Sequence, residues 1–147
     1  NETKHPRVSQ FFPNQVGKRM TTINNSEKEK QMSKSLEMVK LAKTALEDKN
    51  AGDIKVIDIS GVYVLADYFL IANGNNRNQV QAMADNVDEQ LTKAGYSLKS
   101  MEGYPTGNWI LMDYGDLFVH VFDRQNRLFY ALERIWRDGK IVDVADL

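Results

Sequence analysis

Residues 117–122 read Leu-Phe-Val-His-Val-Phe. In an extended strand successive side chains point to opposite faces. Leu117, Val119 and Val121 therefore share one face, and Phe118, His120 and Phe122 share the other. Both faces are apolar, which places this strand at the centre of a sheet. The run Asn108–Asp113 precedes it, and Tyr114-Gly115 joins the two. This predicts a tight hairpin of Asn108–Asp113 and Asp116–Asp123, with the glycine supplying a positive-φ position. The expected register sets Trp109 opposite His120.

The remaining elements follow from periodicity. Leu36, Val39, Ala42, Ala45 and Leu46 share one face of a helix that starts near Ser33. Ser33 or Ser35 suits its N-cap, and Asn50 with Gly52 ends it. Ile54–Ile59 is rich in β-branched residues and reads as a strand. Tyr68–Asn73 reads as another, ended by Gly74. Val80, Met83, Ala84, Val87, Leu91 and Ala94 predict a helix over 75–94, with Asn75 or Asn76 as N-cap and Gly95 at C′. A short strand over 97–102 and the Gly103–Gly107 loop precede the hairpin. Leu128, Phe129, Leu132, Ile135 and Trp136 predict a last helix over 125–137. The order α-β-β-α-β-β-β-α implies an α/β fold, a single mixed five-stranded sheet covered by helices. Residues 1–31 lack apolar periodicity, contain Pro6 and Pro13, and read as a flexible arm. They hold no apolar core of the length a signal peptide needs. The expected domain spans 32–137, and 138–147 reads as a polar tail.

Composition narrows the chemistry. The 147 residues include no cysteine, so disulfides, thiolate metal sites and a cysteine nucleophile are excluded. Two histidines, His5 and His120, leave little basis for a multi-histidine metal site. The longest mostly apolar run, Val62–Ala72, is interrupted by Asp67 and falls short of the roughly 20 residues of a membrane span. The net charge of −1 conceals an asymmetry. Residues 1–50 hold ten Lys/Arg against six Asp/Glu, whereas residues 51–147 hold nine against fourteen. A nucleic-acid-binding domain usually carries a basic patch. The acidic domain argues against direct RNA or DNA binding and is compatible with a basic protein partner; mere solubility accounts for it as well.

Three constellations merit scrutiny. Gly74-Asn75-Asn76-Arg77 lies between a strand and a helix, where an anion can bind, but no dinucleotide or P-loop motif is present. Helix capping explains it more simply. Asp113, Asp116 and His120 surround the hairpin and would be the residues of a diverged nucleotidyltransferase or phosphohydrolase. His120, however, lies about 13 Å beyond Asp116 along an extended strand, and Asp flanking a turn is ordinary turn chemistry. Trp109, grouped with Tyr104 and Tyr114 near the hairpin, suits either a core or an interface hot spot. Tyr130 and Trp136 suit the core.

Several segments in the same order resemble the ribosomal silencing factor (Iojap-like) family. They are Ala66-Asp67-Tyr68-Phe69 with the following Leu-Ile-Ala-Asn-Gly, the Gln79–Asp85 helix start, Glu102-Gly103, Trp109–Asp116, Val119-His120-Val121-Phe122 and Tyr130–Trp136. One departure is Asn76-Arg77-Asn78-Gln79, where the family often has Ser and an Arg-Gln pair. The resemblance implies a nucleotidyltransferase-like fold without the catalytic carboxylates. It also implies no enzymatic activity, no cofactor and no metal. The implied partner is the large ribosomal subunit, through its protein number fourteen. Occupying that intersubunit face would block subunit joining and repress translation in the cytoplasm, and organellar relatives act in subunit assembly. DNA and membranes are not expected partners, and a homodimer is an additional reading. The expected partner-binding residues are Trp109, Met112, Tyr114 and Asp116, with Asp67 and Tyr68 nearby.

Overall fold

The computed structural model describes residues 25–61, 66–124 and 140–142. Its elements are α1 (Asn25–Glu47), β1 (Gly52–Asp58), β2 (Tyr68–Gly74), α2 (Arg77–Lys93), β3 (Ser100–Glu102), β4 (Trp109–Asp113), β5 (Leu117–Asp123) and β6 (Lys140–Val142). The strands form one mixed sheet in the order β3-β4-β5-β2-β1-β6. β2 and β5 are parallel, and the other neighbouring pairs are antiparallel. As its two-sided apolar pattern requires, β5 lies inside the sheet, between β4 and β2.

α1 and α2 pack on the same face of the sheet. Val39, Ala42 and Leu46 of α1 and Val80, Met83 and Leu91 of α2 are fully buried there with Leu70, Ile110, Val119 and Val121. The opposite face carries Ile57, Phe69, Ile71, Trp109, Leu111, Phe118 and Phe122. Alternation along β4 and β5 thus supplies two separate cores from one pair of strands.

Two boundaries differ from expectation. α1 begins at Asn25, not near Ser33, so 25–31 belongs to the helix and not to an arm. The run Glu27–Gln31 has good helix formers and no Pro or Gly, which sustains a helix without an apolar stripe. Ser35 is consequently mid-helix and caps nothing. The stretch expected as a tail contributes β6, which pairs with β1 through Val56↔Val142, Ile57↔Ile141 and Asp58↔Lys140. Ile141 and Val142 are β-branched and suit that edge, and with them the five expected strands become six. The helix expected over 125–137, with Tyr130 and Trp136, lies outside the described residues, as do 1–24.

The hairpin register also shifts. Tyr114 and Leu117 close the turn through the Tyr114 N–H, which donates to the Leu117 carbonyl over 2.9 Å. The turn residues are therefore Gly115-Asp116, with Gly115 at φ 90°. A positive φ at the first of two turn residues is the type II′ pattern. Trp109 then pairs with Phe122, and His120 with Leu111.

Candidate functional site

The hairpin turn and the start of β2 meet at one end of the sheet. The Asp116 carbonyl accepts from the backbone N–H groups of Asp67 (2.8 Å) and Tyr68 (3.2 Å). Asp58 pairs with Tyr68 in the neighbouring strand. Asp58, Asp113 and Asp116 reach partly exposed positions at this end, while Asp67 is buried. The Ser35 hydroxyl donates to Asp67 Oδ2 over 2.7 Å, tying α1 to the start of β2. The phenol of Tyr68 is raised above its ordinary pKa by burial first and then by the charges of Asp58 and Asp67.

The expected exposed aromatic corner is corrected by the packing. Asp67, Tyr68, Trp109, Met112 and Tyr114 are all buried, and of the six expected contact residues only Asp116 retains partial exposure. Met112 and Tyr114 belong to the core under the two helices. Trp109 belongs to the opposite core and starts β4. It therefore stands about 13 Å along that strand from the turn end. Asp67, Tyr68, Tyr114 and Asp116 are brought together, and Trp109 is not one of them. The sequence put large rings near a hairpin without revealing that strand alternation turns them inward on different faces.

Trp109 has its own partner. It is 4% exposed, and its indole N–H donates to Nδ1 of His120 over 3.1 Å. The His120 ring is fully buried against Phe69, with centroids 4.8 Å apart, and is stacked on Phe122 at 6.3 Å. Burial pushes its pKa down to about 3. Among the described residues its Nε2 has no hydrogen-bond partner.

The enzymatic reading of Asp113, Asp116 and His120 lacks the geometry it needs. Asp113 Oδ1 accepts from the Gly115 N–H over 2.7 Å, a local turn bond. His120 is engaged by an indole rather than a carboxylate. A nucleophile, base and orienting group do not converge on one point among them. Among the described residues no group of three or more His, Asp or Glu is arranged to hold a metal. The Gly74–Arg77 turn is a cap: the Asn76 side chain accepts from Gln79 N–H (2.9 Å), and Gln79 Oε1 accepts from Asn75 N–H (2.7 Å). These amides are engaged by the chain itself. Among the described residues no helix is long and apolar enough to cross a membrane.

Sequence reasoning missed the residues that hold the two connections flanking β4. Asp88 accepts from the Tyr114 hydroxyl over 3.0 Å, and Asp85 accepts from Tyr104 at the same distance. Gln81 Nε2 donates to the Tyr104 carbonyl over 2.7 Å. The Tyr114 phenol is raised far above its usual pKa by burial and then by Asp88. For Tyr104 the Asp85 bond is the leading cause of a raised value. Spacing on α2 alone carries no signal for these bonds, because their partners come from distant loops.

The family described as "Ribosomal silencing factor during starvation" matches residues 32–147. The ribosomal silencing factor RsfS of Bacillus subtilis is 42% identical over 107 residues, covering 73% of this chain and 91% of that protein. A crystal structure from Bacillus halodurans superposes with a TM-score of 0.67 at 36% identity, covering 74% of this chain and 99% of the other. One from Chromobacterium violaceum gives 0.68 at 36% identity, covering 74% and 91%.

Proposed function

This chain belongs to the ribosomal silencing factor family, and from that premise we propose that it binds the large ribosomal subunit through its protein number fourteen. Bound there, it excludes the small subunit sterically and lowers translation in the cytoplasm. No bond is made or broken. The observation that carries this reading is the family match over residues 32–147, which takes in α1 from Met32 onward, all of α2 and the whole sheet.

The site supports a division of labour. Asp116 stands at the partly exposed hairpin turn, with Asp58 and Asp113 at the same end of the sheet. Carboxylates there would steer and orient a basic ribosomal protein. Asp67, Tyr68, Met112 and Tyr114 lie beneath and hold that end in shape. Trp109 anchors the opposite end of β4, where the Gly103–Asn108 connection enters the sheet. Docking in this reading uses the surfaces at both ends of β4, and the buried residues act through them.

Sucrose-gradient sedimentation with separated subunits tests the proposal. The protein should comigrate with the large subunit alone and reduce the joined particles when the small subunit is added. Absence from the large-subunit fraction, or unchanged joining with the large subunit saturated, overturns it.

A further inference from the structure

We propose that His120 is a positioning residue for Trp109, fixing its indole and through it the junction at which the Gly103–Asn108 connection enters the sheet. The inference rests on the docking reading above and identifies a residue on which that reading depends.

The argument begins with an imbalance. His120 is fully buried, and among the described residues its Nε2 has no hydrogen-bond partner. Because Nδ1 accepts the indole N–H, the neutral ring carries its proton on Nε2. A buried N–H without an acceptor is unfavourable. Leu or Phe would fill the same volume without that burden. What an imidazole supplies here and a hydrocarbon does not is the Nδ1 lone pair, and its one user is the Trp109 indole at 3.1 Å.

The pair is also placed to transmit position. Trp109 is the first residue of β4 and His120 lies in β5, on the same face and diagonally across the ladder from it. Phe122 stacks on the indole with centroids 5.0 Å apart, which restrains its plane. The hydrogen bond restrains the direction in which the indole edge points. Next to it, the Asn108 carbonyl accepts from the Asp123 N–H over 3.0 Å. Gly107, at φ 68°, lies so close to Arg77 that an added Cβ would sit 2.7 Å from its Cγ. Sheet, loop and the start of α2 therefore meet at one tightly fitted point beside Trp109.

The experiment compares full-length variants by large-subunit pelleting, indole N–H exchange in NMR spectra and circular dichroism. In His120→Asn a side-chain oxygen replaces Nδ1 as acceptor. In His120→Leu no acceptor remains, and in Trp109→Phe no donor remains. His120→Asn should keep a protected indole N–H and an affinity within about threefold of wild type. His120→Leu should lose the protection and bind at least about tenfold more weakly. Trp109→Phe should match that loss, and His120→Leu in its background should add little. Should His120→Leu not fold, His120→Phe, which likewise has no acceptor, takes its place in the same comparison. Wild-type affinity in a folded His120→Leu or in Trp109→Phe overturns the positioning role. If Trp109→Ala then still weakens binding, the docking reading of Trp109 survives that failure; if Trp109→Ala binds as wild type, the docking reading of Trp109 fails as well.

Discussion

Ser35, in the middle of α1, donates its hydroxyl to the buried carboxylate of Asp67 just ahead of β2, over 2.7 Å and 32 residues of sequence. The Gln31 carbonyl lies 3.0 Å from the same hydroxyl, but a single proton favours the charged acceptor. Ser35→Ala should therefore destabilise the fold by about 1.5–3 kcal/mol, the range for a hydrogen bond to a charged group. Ser35→Thr, which restores a hydroxyl, should recover part of it. Urea denaturation of the two variants measures both effects, and equal stability for Ser35→Ala and wild type would remove this bond from the account.

His120 makes stability depend on acid. Its pKa is about 3 in the fold, against an ordinary value of 6.5. Between those values the unfolded chain binds the proton and the folded chain does not, so stability falls as pH falls through that window and is unaffected above it. The slope attributable to this residue approaches about 1.4 kcal/mol per pH unit. The difference between wild type and His120→Asn, measured from pH 7 to pH 4, isolates it from the carboxylates. Parallel stability curves for the two proteins would contradict it.

Tyr114 and Asp88 provide a second measurable link, between the hairpin turn and α2. Tyr114→Phe keeps the buried ring and deletes the donor. Asp88 is partly exposed and also accepts from Thr92 at 3.3 Å, so water and Thr92 soften the loss. The expected cost is about 1 kcal/mol. A double-mutant cycle with Asp88→Ala should show a coupling of the same order, and strict additivity would show that the pair does not interact.

Much of this architecture was legible because it rests on periodicity. The two-sided pattern of Leu117–Phe122 alone implies a central strand, and the spacing of Val80, Met83, Val87 and Leu91 reproduces the buried stripe of α2. Asn76 as N-cap and Gly95 at φ 93° are equally local. What was not legible is non-local. The turn residues decide the hairpin register, and a one-residue change in where the turn sits moved the partner of Trp109 from His120 to Phe122. β6 is three residues long, below what alternation reveals, and it needs β1 already in place. For the candidate site, residue type gave Trp109 and Tyr114 equal claims to core and surface. Only the sheet order shows that both are inside, and only the tertiary fold brings Asp85 and Asp88 to the two tyrosines.

Gly115 tests the turn itself. Its φ of 90° is unfavourable for any residue with a Cβ, and the nearest obstruction to one is the flexible end of Lys99, which can move aside. Gly115→Ala should cost about 1–2 kcal/mol, from backbone strain rather than from crowding. Gly61→Ala is the matched control, since none of the described residues lies within 4 Å of an added Cβ and its φ is not positive. Thermal melts of the two variants should differ by several degrees, about 2–4 °C per kcal/mol at this chain length. Equal melting temperatures would mean that the turn relaxes to another type.

Asp116 separates charge steering from packing in the proposed docking. It is the only one of the six expected contact residues that is not buried, and its backbone carbonyl, not its side chain, holds the start of β2. Asp116→Lys should therefore leave the fold near wild type while reversing a charge at the turn that the proposed docking sets against the partner. Against a basic protein this lowers the association rate most at low salt, because screening shortens the reach of both signs as ionic strength rises. The expected result is a loss of large-subunit affinity of about tenfold at low salt that narrows toward high salt, with circular dichroism unchanged. Trp109→Ala, which acts through packing, should show a loss that varies little with salt. If Asp116→Lys binds as wild type at every ionic strength, the hairpin turn does not face the basic partner and the docking surface lies elsewhere on the domain.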